Sequence, residues 1–65
     1  MIRRTPRILV VDDDPAIRRT LAEELQAEGY AVEEAADGRA ALLAFDREEP
    51  DLVLTDLAMP VSDGF

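Results

Sequence analysis

Three consecutive carboxylates, Asp12, Asp13 and Asp14, follow directly on the aliphatic run Ile8-Leu9-Val10-Val11, and a further one, Asp56, ends the similar run Leu52-Val53-Leu54-Thr55. Acids that converge at strand ends repel one another, and a divalent cation among them relieves that repulsion. The chain has no histidine and no cysteine, so any metal it binds must sit among oxygen ligands, which points to Mg²⁺, Ca²⁺ or Mn²⁺. Mg²⁺ suits such a set chemically, because it is usually held by one or two carboxylates, several waters and often a phosphate oxygen. A carboxylate beside that ion can also attack phosphorus and give an aspartyl phosphate. The plain alternative for any one of these acids is a solvated loop residue or a helix cap. Asp14 fits it well, since Pro15 follows.

The elements that must position these acids can be read from the pattern around them. The first strand, roughly Arg7 to Asp12, is β-branched and apolar enough to be buried on both faces of a parallel sheet. Asp14-Pro15 then starts a helix whose apolar stripe is Ile17, Leu21 and Leu25 with Ala22 beside them, and Gly29 is its left-handed stop. Tyr30 to Ala35 is a more polar run, as expected of an edge strand. Asp37-Gly38 opens a second helix through Ala40, Ala41, Leu42, Ala44 and Phe45, which Pro50 prevents from continuing. Leu52 to Asp56 is a third strand.

Alternating elements of these lengths imply parallel strands joined by right-handed crossovers. With the polar second strand at an edge, the order is 2-1-3, with one helix on each face. The chain then leaves the first and third strands in opposite directions. The crevice between their carboxyl ends, where ligands bind in open α/β sheets, is bordered by Asp12, Asp13 and Asp56.

Composition narrows the function classes. Fifteen acids against seven basic residues, all arginine, give a net charge of -8, which argues against binding a nucleic-acid backbone or an anionic membrane through this segment. The cluster Arg3, Arg4 and Arg7 is too small to alter that and lacks the apolar core of a signal peptide. No apolar run is long enough to span a bilayer, and the expectation is a soluble, cytoplasmic domain.

Together, Ile8-Leu9-Val10-Val11-Asp12-Asp13-Asp14-Pro15, Asp37-Gly38 before an alanine-leucine helix, Pro50 through Pro60, and Asp63-Gly64 resemble the opening half of a response regulator receiver domain of two-component signalling. The resemblance covers about Arg7 to Phe65, after a polar lead of residues 1–6. It implies an α/β fold of flavodoxin-like, doubly wound type, here its βαβαβ half. It implies that Asp56 is the phosphoacceptor, charged by the phosphohistidine of a sensor histidine kinase or by a phosphotransfer protein. Asp12 and Asp13 match the pair that organises Mg²⁺, Asp13 as a direct ligand and Asp12 largely through water. Ala58 matches the position whose backbone carbonyl completes the protein ligands. Met59-Pro60 and Asp63-Gly64 read as a turn and the start of the next helix, Thr55 as a strand residue, and Phe45 and Met59 as packing residues. Ser62 is a mild departure from the apolar residue usual there.

The resemblance further implies that a receiver continues for about as many residues again, adding a hydroxyl residue after the fourth strand and a lysine after the fifth. On that reading residues 7–65 are a truncated receiver, impaired as a phosphoacceptor by itself and prone to associate with a second copy or with its missing half. The full-length parent is then a phosphorylation switch, with transcription control as its expected output. Two competing functions use the same residues. In a haloacid dehalogenase-like phosphohydrolase Asp12 would be the nucleophile and Asp14 the general acid, although Ala16 stands where that family expects Thr or Val. A degenerate receiver would act only as an interaction module, against which the retention of Asp12, Asp13 and Asp56 argues.

Overall fold

A computed structural model of the chain describes residues 5–55. Three strands, β1 (Arg7–Val11), β2 (Ala31–Ala35) and β3 (Leu52–Thr55), alternate with two helices, α1 (Pro15–Ala27) and α2 (Gly38–Arg47). The sheet is parallel in the order β2-β1-β3, with Ile8 opposite Val32 on one side and Leu52 on the other. The expected order 2-1-3 is therefore present, and the apolar strand is the central one because only it is paired along both edges.

Side chains alternate across a strand, so β1 serves two cores. Leu9 and Val11 pack with Ala35 and with Ala44, Ala40 and Ala41 of α2. Ile8 and Val10 point to the opposite face and are equally buried, beneath α1, whose Ala22 has no exposed surface at all. One helix thus covers each face.

Both helix starts are capped by aspartate. The Asp14 carboxylate accepts from the N–H groups of Ala16 and Ile17, with Pro15 at the first helical position, and Asp37 accepts from Ala40. At the end of α1, Gly29 takes a φ of 103°, while the Gly29 N–H donates to the Gln26 carbonyl and the Tyr30 N–H to that of Leu25. This pair of bonds satisfies two otherwise unpaired carbonyls, and a Cβ would be strained at that φ.

Several boundaries and burials differ from the sequence reading. β1 ends at Val11 because Asp12 turns out of the ladder after one last bond, from its N–H to the Ala35 carbonyl at 3.1 Å. β2 begins at Ala31, since the Tyr30 N–H is used in closing α1. Ile17 is 50% exposed and Phe45 is also exposed, so neither is the packing residue its spacing suggests. The helices lie on the sheet through alanines, Ala22 in α1 and Ala44 in α2, and these small contacts leave larger neighbours toward the helix flanks. Leu42, at 72% exposed, faces solvent among the described residues. The predicted end of the third strand at Asp56 lies outside the described residues, as do Ala58, Met59-Pro60, Ser62 and Asp63-Gly64.

Candidate functional site

The turn from β1 into α1 separates the three consecutive acids by environment. Asp12 is 3% exposed, the one buried charged residue among those described. Its Oδ1 accepts from the Asp14 N–H at 2.8 Å, which closes a local turn and satisfies one oxygen of a carboxylate that burial would otherwise penalise. Its backbone carbonyl accepts from Arg18 Nη1 at 2.9 Å. Asp13 is exposed, and its carboxylate makes no hydrogen bond or ion pair with any described residue. Asp14 is spent on the helix start. The sequence pattern reads Asp14 as a helix cap, and the structure places it there.

The register pairs Val11 of β1 with Thr55 of β3, so the carboxyl ends of the two strands lie side by side. Asp12 and Asp13 follow one of these ends. Asp56 is the next residue after the other, but it and Ala58 lie outside the described residues, so the structure brings together only Asp12 and Asp13 of the expected set. Among the described residues no group of three potential ligands forms a metal cluster. Asp14, though adjacent in sequence, is turned to its cap and does not join them.

Sequence reasoning passes over the ionic layer that holds this turn. Arg18 Nε donates to Glu34 Oε1 at 3.1 Å and Arg19 Nη1 donates to Glu34 Oε2 at 2.9 Å, joining α1 to the edge strand. Partial burial pushes the Glu34 carboxyl up, but the hydrogen bonds and positive charge of Arg19 and Arg18 outweigh it and hold the group below the usual glutamate range. Its neighbour on the other face, Glu33, pairs with Arg7 and with Arg47 of α2. The available signal was the acidic pair Glu33-Glu34 inside a strand, where each face must find its own cations. A shallow groove beside Arg7, Glu33, Ala44 and Pro50 lies toward the opposite end of β1 from the acidic turn.

Comparisons with known proteins agree with this architecture. The chain is 47% identical over 64 residues to a probable transcriptional regulator, ycf27, of Galdieria sulphuraria, a match covering 98% of this chain and 25% of the relative. It is 52% identical over 58 residues to the response regulator MprA of Mycolicibacterium vanbaalenii, covering 89% of this chain and 25% of that one. Among solved structures it is similar to the chemotaxis protein CheY4 of Vibrio cholerae, with a TM-score of 0.83 and 41% identity over 89% of this chain and 48% of that one. The chain thus spans about a quarter of the length of these curated relatives and about half of the solved one. The profile of the response regulator receiver domain matches residues 8–65, nearly the whole sequence, and with the 2-1-3 parallel sheet and the acidic turn after its central strand it establishes that the chain belongs to the response regulator receiver domain family.

Proposed function

We propose that this chain is the acid-site portion of a two-component receiver, with Asp56 the phosphoacceptor and Asp12 and Asp13 the residues that hold Mg²⁺, together with the backbone carbonyl of Ala58. The observation that carries this reading is the division of labour after β1, where Asp12 is buried and fixed, Asp14 caps, and the exposed Asp13 carboxylate has no partner among the described residues. The donor set fits a hard cation: it is all oxygen, it is anionic, and one member is unpaired among the described residues. When bound, Mg²⁺ supplies charge neutralisation for a phosphoryl group arriving among carboxylates.

In the transfer, an Asp56 carboxylate oxygen forms the bond to phosphorus and the phosphorus–nitrogen bond of the donor phosphohistidine breaks. The electron pair returns to the imidazole, which takes up a proton on release. Asp12, with its backbone pinned from both sides, orients the turn, and Asp13 provides the open ligand position. The partner is a sensor histidine kinase or phosphotransfer protein, the setting is the cytoplasm, and the output of the longer protein is control of transcription. Support for that output is the regulator character of the relatives. Among the described residues no helix is long and apolar enough to cross a membrane.

The 65 residues include no lysine, so the family's phosphoryl-binding lysine is not among them. Leu52 and Val53 of β3 are exposed among the described residues, which favours association with a second copy or a complementary half. Incorporation of phosphate from a small-molecule phosphodonor, compared between wild type and Asp56→Asn, tests the reading. A haloacid dehalogenase-like alternative is disfavoured by the use of Asp14 as a helix cap, since a general acid must be free to meet its substrate.

A further inference from the structure

We infer that Arg18 is a positioning residue for the metal-holding turn, an inference that rests on the proposed roles of Asp12 and Asp13. The oxygen it binds belongs to the peptide joining those two residues, 2.9 Å from Arg18 Nη1. A peptide group is planar, so fixing its oxygen fixes the plane and with it the direction in which the chain leaves toward the Asp13 Cα. The preceding peptide is fixed as well, through the Asp12 N–H on the Ala35 carbonyl at 3.1 Å. Asp13, whose own side chain has no anchor among the described residues, is thereby placed by its backbone.

Arginine chemistry is needed for this. Arg18 reaches the Asp12 carbonyl with one nitrogen and Glu34 Oε1 with another, at 3.1 Å, and its side chain is only 18% exposed. A rigid planar fork can serve two acceptors at once, whereas a lysine ammonium on a flexible stem serves them as a single point charge. The simpler reading, that Arg18 merely ties α1 to β2, has a built-in control. Arg19 bonds the same Glu34 at 2.9 Å and, among the described residues, makes no hydrogen bond or ion pair with the acidic turn.

The test compares Arg18→Lys with Arg19→Lys. Mg²⁺ is titrated while the amide shifts of Asp13 and Asp14 are followed, and amide hydrogen exchange of Asp14 is measured without metal. Arg18→Lys is expected to weaken Mg²⁺ about tenfold, as losing a supporting contact behind a ligand typically does. It should also speed Asp14 exchange relative to Val10. Arg19→Lys should leave both readings within about twofold of wild type, since it alters only exposed pairing with Glu34 and Glu23. Equal effects of the two variants, or unchanged Asp14 exchange in Arg18→Lys, would overturn the inference. Should Arg18→Lys fail to fold, Glu34→Gln loosens the anchor while keeping the arginine, and an unchanged Mg²⁺ affinity and Asp14 exchange there would also overturn it. Absence of Mg²⁺ saturation in the wild-type protein would contradict the metal reading instead, while the metal-free exchange still decides the role of Arg18.

Discussion

The Asp14 N–H donates to Asp12 Oδ1 at 2.8 Å while the Asp14 carboxylate, pointing the other way, accepts from Ala16 and Ile17. One residue therefore closes the turn with its backbone and opens the helix with its side chain. The two functions separate by substitution. Asp14→Ala should cost about 1 kcal/mol of stability, the usual cost of losing an aspartate cap, and Asp14→Asn much less. Mg²⁺ affinity should stay within about twofold in both, because the backbone N–H that holds Asp12 is kept. Urea denaturation with a parallel Mg²⁺ titration checks this, and a large affinity loss in Asp14→Asn would mean that Asp14 is a ligand after all.

Asp13 behaves in the opposite way. With no partner among the described residues, its carboxylate gives the metal-free fold little, so Asp13→Asn should leave the melting temperature nearly unchanged. Mg²⁺ affinity should fall by at least about tenfold, since removing a ligand costs no less than removing a group that supports one. Calorimetric titration of both proteins decides the point. Retained affinity would remove Asp13 from the site.

The Glu34 carboxyl gives a pH signature. Its folded-state pKa lies below the ordinary glutamate range, under the influence of Arg19 and Arg18 despite the opposing effect of burial. Its contribution to stability is therefore fully present above the unfolded pKa and is lost as pH falls through the lowered folded value. Glu34→Gln should be less stable than wild type at neutral pH, and the gap should close as the solution is acidified below about pH 4.3. Thermal melts across that range test the sign, and a gap that widens on acidification would contradict the ion-pair assignment.

The central strand carries both cores. Leu9 is 2% exposed and sits among Val11, Ala35 and Ala44, so Leu9→Ala should cost about 2–5 kcal/mol, a large share of what so short a chain can hold. Loss of the cooperative melt is the expected result. A mild effect would show that the α2 face is loosely packed.

How far the sequence could be read follows from the kind of signal each feature leaves. Strand order was legible because polarity ranks the strands: Ile8 to Val11 is apolar on both faces, whereas Glu33 and Glu34 need an edge. Caps were legible because Asp14-Pro15 and Asp37-Gly38 act locally. The exposure of Ile17, Leu42 and Phe45 was not, since periodicity gives a face but not the width of its contact, and here alanines set that width. The Arg18 contact was also hidden, because it joins residues distant in sequence through a backbone oxygen that no residue type advertises. Of the candidate site, the structure describes the surroundings of Asp12 and Asp13 but not their roles, which stand on the resemblance, as do those of Asp56 and Ala58, which lie outside the described residues.

The central claim is that Asp56 accepts phosphate beside Asp12 and Asp13, and locating the acyl phosphate tests it most directly. After incubation with a labelled small-molecule phosphodonor and Mg²⁺, incorporation confined to Asp56 is predicted, absent in Asp56→Asn and lost when Mg²⁺ is chelated. Label on Asp12, labelling that survives Asp56→Asn, or no label at all would contradict the phosphoacceptor account itself.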